Sequence, residues 1–273
     1  INIFNIMKQY QVLDGFWLKI IAMVTMVIDH CGAYFVNYSS PAYYVLRIIG
    51  RISFPIFAFL ITEGVYYSKK PLLYFLRLFI LDIIINLGEF IFLHQYEGSV
   101  LLTFVLGGLS IYLLDNKNPY YKLLACLPIT IGILTGFIFF PIRMQYGPYG
   151  LLVILLFYFS KKIILFINNK YFHLYGDEFY NSSYFRILYL IVFSSIFVSL
   201  NIISVYFSNE LNNFFTAENI NYTIQSYACL ALPILFLYNG KRGYNKKWFK
   251  YGCYLFFPLH FILLYLIKII FQV

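Results

Sequence analysis

Residues 17–36 read WLKIIAMVTMVIDHCGAYFV, a run of twenty positions that is apolar except where Lys19, Asp29 and His30 interrupt it. As a helix it rises about 30 Å, the thickness of a bilayer's hydrocarbon core. It is too long for the core of a signal peptide and lacks a small-residue cleavage site, so it reads as a retained first membrane span.

Runs of the same kind recur to the end of the chain: Tyr44–Tyr67, Leu72–Leu93, Val100–Leu114, Leu123–Phe140, Tyr149–Ile167, Ile187–Phe207, Tyr222–Leu237 and Tyr251–Ile270. They predict an all-α, polytopic membrane helical bundle of about nine transmembrane helices, of which the fourth and eighth are short and read as tilted, broken or extended into the loops. Composition agrees. Hydrophobic residues make up 62% of the chain and charged residues 11%, with a mean hydropathy of +0.76; soluble domains carry about a quarter charged residues. Residues 1–16 read as a short cytoplasmic segment and residues 17–273 as a single transmembrane domain. Met7 reads as the natural start, with the six residues before it an over-read of the frame.

The net charge of +9 would raise nucleic-acid binding in a soluble protein. Here the cations cluster in alternate loops between apolar runs: Lys8; Lys69 and Lys70; Lys117 and Lys122; Lys161, Lys162, Lys170 and Arg186; and Lys241, Arg242, Lys246, Lys247 and Lys250. Asn37–Ala42 and His94–Ser99 carry no Lys or Arg, Asn209–Asn221 carries Glu210 and Glu218, and Arg143 is the exception. This positive-inside pattern predicts a cytoplasmic amino end, an outside carboxyl end and no nucleic-acid partner. The membrane is read as the bacterial inner (plasma) membrane, with lipid the surrounding partner. Asn168–Ser183 reads as a cytoplasmic loop, and no internal repeat is visible.

The cysteines at 31, 126, 229 and 253 are scattered through apolar runs with no C-x-x-C pair, so neither a disulfide nor a metal site is predicted. Gly132 and Gly136 form a small-xxx-small pair suited to close helix packing.

An ionisable group near the bilayer centre costs at least about 2.5 kcal/mol, so each one needs a partner or a task. The first span holds Lys19, Asp29 and His30, the second Arg47, Arg51 and Glu63, the third Arg77, Asp82 and Glu89, and the last His260 and Lys268. Chemistry is therefore expected from the first three helices and the last. Lys19 and His30, eleven positions apart, share one helix face and are separated by about 16 Å along the axis. That span suits a donor such as acetyl-CoA, with phosphates at one end of a long arm and a thioester at the other. Lys19 fits an interface anchor equally well. Asp29 diverges from its neighbour His30 and is expected to reach Arg47 or Arg51, which lie on one face of the second span. Those arginines either neutralise Asp29, polarise a thioester carbonyl, or anchor the outer interface. His260 follows Pro258, whose missing amide opens room for a polar site. It serves either a pocket shared with His30 or helix packing. His94 and His173 fall at or in loops and read as solvated; Glu63, Asp82 and Glu89 read as structural partners of Arg77 or other cations.

Several blocks carry a family resemblance. Leu18–Met23 with Ile28-Asp29-His30, Leu46–Phe59 through Glu63-Gly64, Leu237–Gly243 and Phe257-Pro258-Leu259-His260 resemble the TraX family, in family order over nearly the whole span region. The family's namesake is linked to acetylation of the amino-terminal residue of conjugative pilin. It is similar to a wider group of membrane acyltransferases with a basic residue, ten intervening residues and a histidine in the first helix, a spacing that Lys19 and His30 reproduce. The resemblance implies cytoplasmic acetyl-CoA as donor and an important first-helix histidine. It leaves the acceptor open, and Arg47 and Arg51 match the group's arginine motif only loosely.

The expected function is an acetyl-CoA-dependent N- or O-acetyltransferase. Its catalytic set is His30, Asp29, Arg51 and His260, and its donor-binding set Lys19, Arg47, Lys241 and Arg242, with no metal. The acceptor is an amine or hydroxyl, on a protein amino terminus such as pilin or on an envelope glycan. Rival readings are a transporter or exporter using the Asp, His and Arg cluster, and a non-catalytic assembly scaffold.

Overall fold

The computed structural model describes residues 9–93, 98–137, 143–172, 179, 182–215 and 221–271. His94, His173, Glu218, Met7, Lys8 and the Glu89 side chain lie outside the described residues. Among the described residues every regular element is helical: α1 (Gly15–Phe35), α2 (Pro41–Gly50), α3 (Ser53–Tyr67), α4 (Pro71–Leu93), α5 (Val100–Leu114), α6 (Pro119–Leu124), α7 (Cys126–Leu134), α8 (Gly147–Ile167), α9 (Ser183–Tyr206), α10 (Ser208–Phe214), α11 (Tyr222–Ser226), α12 (Ala231–Phe236) and α13 (Lys247–Phe271). An isolated parallel bridge joins Leu13 to Tyr238.

Among the described residues, six helices are long and apolar enough to cross a membrane: Gly15–Phe35, Pro41–Tyr67, Pro71–Gly88, Gly147–Tyr171, Ser183–Tyr206 and Lys247–Ile270. The other predicted spans correspond to three shorter apolar helices, Val100–Leu114, Pro119–Leu134 and Tyr222–Phe236. Two predicted loops are partly helical. A π-helical turn, Asn168–Phe172, carries the helix into the expected loop at 168–183, and α10 occupies part of 209–221.

Starts and breaks follow local chemistry. Asp14 caps α1, its Oδ1 accepting from the amides of Phe16 (3.0 Å) and Trp17 (3.1 Å). Ser40 caps α2 and Asn118 caps α6, each followed by a proline in the first helical turn. The second predicted span is broken at Arg51–Ile52, another at Ala125, and a third passes through a 3₁₀ turn at Tyr227–Leu230. Each helix resumes with proline at its third position: Pro55 in α3, Pro128 in α7 and Pro233 in α12. A proline there lacks the amide that would continue the ladder, and its ring crowds the carbonyl four residues back. Pro258, by contrast, sits inside an unbroken α13.

The helices form two compact units, one of Ile1–Phe57, Ser160–Ile202 and Tyr222–Val273, the other of Ala58–Phe159 and Ile203–Asn221. Within the second, α5 is buried from Leu101 through Gly108. Gly107 faces Ile154 and Gly108 faces Phe75, leaving no room for a Cβ at either. Gly132 packs on Leu151 and Gly136 on Phe215 and Pro148, also at close approach. Ser99 caps α5 and donates to Asp82 Oδ1 (2.6 Å), while Arg77 is exposed, so where Arg77 or another cation was expected beside Asp82 the structure shows a hydroxyl partner.

Outward faces are apolar. On α4 the exposed residues Leu72, Leu76, Phe79, Ile80, Ile83, Leu87, Phe90 and Ile91 recur at helical spacing, and Leu255, Leu259, Ile262, Leu266 and Ile269 do the same on α13. Stripes of this extent are tolerated where lipid is the solvent.

Candidate functional site

All the residues singled out from sequence for a site fall in the first unit, and α1 is its axis. Its amino end is tied to the segment before α13. Leu13 donates to the Leu237 carbonyl (2.9 Å), Asn239 donates to the Leu13 carbonyl (2.8 Å), and Gly15 donates to the Lys241 carbonyl (2.8 Å). Gly243 takes a positive φ of 66°, with the Asp14 carboxylate where a Cβ would stand. These bonds bring Lys241 and Arg242, both exposed, beside the start of α1. Lys19 lies within electrostatic reach of Arg242, Lys250 and the Cys253 thiol. The amino end of α1 is thus strongly cationic.

α1 and α13 run parallel. Phe16 packs on Phe249 with ring centroids 4.7 Å apart, His30 on His260 at 5.1 Å, and Lys268 Nζ stands 5.8 Å over the Tyr34 ring. Residue numbers rise together along both helices. Lys19 and His30, on one face of α1 as their spacing requires, both turn toward α13, where Cys253 and His260 are seven residues apart and share a face in turn. His30 Nδ1 lies 3.0 Å from His260 Nε2, and Phe261 packs on both rings, at 4.7 and 4.2 Å.

Asp29 faces the other way, toward α2, because adjacent helical residues diverge by about 100°. Its Oδ2 pairs with Arg47 Nη1 (2.6 Å), and Arg51 Nη2 contacts both carboxylate oxygens (2.6 and 2.7 Å). Asp29 is 6% exposed. Gly32 packs on Leu46, and Gly50 leaves space for the Asp29 carboxylate, so two glycines set the close approach of α1 and α2. Ser53 donates to the Ala22 carbonyl (2.8 Å), fixing the start of α3 to α1. Arg51 Nη1 also donates to Gln225 Oε1 (3.3 Å), a buried side chain of α11. Two guanidiniums against one carboxylate leave this trio with a net positive charge, and His30 lies within electrostatic reach of both arginines.

The structure therefore gathers the predicted residues into two clusters along α1: Lys19, Lys241 and Arg242 at its start, and Asp29, His30, Arg47, Arg51 and His260 farther along. Gln225, Gly50 and Phe261 belong to the second cluster and were not singled out from sequence; a glutamine inside a short apolar run was the available signal for Gln225. The cysteines are free thiols. Among the described residues no three His, Cys, Asp or Glu side chains are grouped to hold a metal.

Comparison with known proteins adds a family. The model of the TraX protein family matches residues 15–171, which carry Lys19, Asp29, His30, Arg47 and Arg51; Lys241, Arg242 and His260 lie beyond the match. A probable fimbrial assembly protein, FimC of serogroup H1, from Dichelobacter nodosus is 26% identical over 149 residues, 50% of this chain and 58% of that protein. An uncharacterised protein of Rickettsia prowazekii (strain Madrid E) is 32% identical over 101 residues, 37% of each chain. The chain thus spans less than two thirds of either relative. No solved structure matches.

Proposed function

The chain belongs to the TraX family, and from that membership we propose that it is an integral membrane acetyltransferase. It moves an acetyl group from cytoplasmic acetyl-CoA to an amine or hydroxyl acceptor. The observation that carries this reading is the placement of Lys19 and His30: one face of one helix, both turned to α13, one beside the basic end and the other beside the arginine cluster. A donor with phosphates at Lys19, Lys241 and Arg242 extends its pantetheine arm along α1 and presents its thioester near His30. Arg47 extends the same cationic path.

In the proposed step, His30 accepts a proton from the acceptor's N–H or O–H as that atom attacks the thioester carbonyl carbon. The new C–N or C–O bond forms, negative charge builds on the carbonyl oxygen, and Arg51 in its net-positive trio offsets it. The C–S bond then breaks, and the proton on His30 passes to the departing sulfur to give free CoA. Asp29 holds Arg51 in place, and His260 supports His30.

The proposed topology has nine crossings in a bacterial inner membrane, with the amino end cytoplasmic and the carboxyl end outside. The basic loops support this orientation. The relative's printed role in fimbrial assembly, together with the family's link to pilin, supports a protein amino terminus as acceptor; an envelope glycan is the other acceptor class.

The test is turnover by purified protein in detergent. Acetyl-CoA and an acceptor peptide should release free thiol with no transmembrane gradient, which a transporter would not do. His30→Ala should lower the rate by about a hundredfold or more while leaving the melting temperature near the parent's. A fully active His30→Ala variant removes the mechanism. Mass spectrometry of envelope peptides and glycans from deletion and parent strains, searching for a lost acetyl mark, identifies the acceptor.

A further inference from the structure

The two imidazoles are ordered as a relay, and its direction can be read from the atoms at each end. His260, 5% exposed, sets its Nδ1 2.9 Å from the carbonyl oxygen of Phe256. A carbonyl oxygen only accepts, so His260 Nδ1 carries the hydrogen. In the neutral ring Nε2 is then a bare acceptor, and it stands 3.0 Å from His30 Nδ1. That contact is a hydrogen bond only if His30 Nδ1 is the donor. His30 is thereby left with its lone pair on Nε2.

We propose that His260 is a positioning residue that holds His30 as the Nδ1–H tautomer, so that His30 Nε2 is the atom that takes the acceptor's proton. The proposal rests on the reading of His30 as general base. The neighbouring carboxylate, Asp29, is committed to Arg47 and Arg51 on an adjoining face of α1, and among the described residues no carboxylate is seen bonded to His30. The imidazole–carbonyl pair from α13 takes its place. Aromatic rings fix both planes. Phe256 stacks on His260 at 5.0 Å with 13° between planes, Phe261 packs on both imidazoles, and the imidazoles themselves are 12° from parallel. When His30 gains a proton at Nε2, its Nδ1–H bond to neutral His260 becomes charge-assisted and stabilises the cation formed. His260 does this without taking a proton itself.

The experiment is nitrogen NMR of the full-length protein labelled with ¹⁵N-histidine in detergent. The chain has four histidines, so single substitutions assign every signal. Near neutral pH, His30 should show a protonated Nδ1 and a bare Nε2. In His260→Phe, which keeps a ring but removes the acceptor, His30 should lose that preference, and kcat should fall by about a hundredfold with the KM for acetyl-CoA unchanged. His260→Gln, whose carboxamide oxygen can replace the Nε2 acceptor, should restore both the His30 signal and part of the rate. A parent spectrum with His30 Nε2 protonated overturns the proposal, as does an unchanged His30 signal in His260→Phe. The spectra need no turnover. The expected tautomer in a protein that never consumes acetyl-CoA would uphold the relay while removing the acetyltransferase reading.

Discussion

Gly50 faces the Asp29 carboxylate so closely that a Cβ on Gly50 would fall on the carboxylate itself. The glycine is what allows α2 to approach α1 far enough for Arg47 and Arg51 to reach the same acid. Gly50→Ala should push Asp29 from both guanidiniums and cost about 3 kcal/mol or more, the scale of breaking a buried ion pair. Gly252, in α13, has nothing within 4 Å of its Cβ position. Gly252→Ala should be neutral or stabilise by up to about 1 kcal/mol through helix propensity. Paired thermal melts in one detergent check this contrast; equal melting temperatures for the two variants would contradict it.

The same trio predicts an order of damage among its members. Asp29→Asn leaves two guanidiniums facing each other in an apolar bundle, and should cost about 3–5 kcal/mol. Arg47→Gln leaves Asp29 held at both oxygens by Arg51, a balanced pair, and should be the mildest change. Arg51→Gln should fall between them, since it removes the two-oxygen contact together with the bond to Gln225. Thermal stability of the three purified variants tests the ranking, and a stable Asp29→Asn protein would show that the acid is not the counter-charge.

Lys241 and Arg242 stand exposed beside the start of α1, where they serve as the proposed phosphate contacts. Substituting both by glutamine should raise the KM for acetyl-CoA several-fold and leave kcat nearly unchanged, because the phosphates are remote from the thioester. Salt should act in the same direction. Raising ionic strength from about 0.1 to about 1 M shortens the screening length from about 10 to about 3 Å, so the parent's KM should climb toward the variant's. Acetyl-pantetheine lacks the phosphates, and its KM should be indifferent to both treatments. A variant whose KM rises equally with acetyl-pantetheine would place these cations elsewhere in the mechanism.

Which parts of this arrangement were legible in the sequence follows from the range of each interaction. Lys19 and His30 sharing a face is a property of one helix, and spacing alone gives it. Asp29 seeking Arg47 or Arg51 follows from the cost of an isolated charge in lipid, which leaves few partners at the right depth. That one acid would take both arginines, and that Gln225 would join them, depends on how separate helices approach, and Gly50 signals that approach only once Asp29 is seen against it. The helix breaks were written in Pro55, Pro128 and Pro233, each at the third position of a resumed helix. Hydropathy runs on through Pro55 and Pro128 and hides those two breaks, whereas the shortness of the eighth predicted span, which holds Pro233, leaves a break there open. Asp82, expected beside Arg77 or another cation, is met by a nearer donor: Ser99, already placed at the start of α5, reaches the acid while Arg77 lies exposed.

The parallel packing of α1 and α13 bears on how many times the chain crosses the membrane. Successive crossings alternate in direction, so two parallel crossings have an odd number of others between them, and a chain that begins with α1 and ends with α13 crosses an odd number of times. Six span-length helices alone would leave α13 antiparallel to α1, contrary to the matched pairs Phe16 with Phe249 and Tyr34 with Lys268. If all six span-length helices cross, one or all three of the shorter apolar helices cross with them, and the proposed nine crossings satisfy both the parity and the basic loops. Cysteines placed at Val12 and Lys246 should be shielded from a charged maleimide added outside intact cells, and one at Ser39 should react. A phosphatase reporter fused behind α13 should be active, since it folds only outside the cytoplasm. An inactive reporter combined with a reactive Ser39→Cys would put the far ends of α1 and α13 on opposite sides, and would break the parallel pair on which the His30–His260 contact depends.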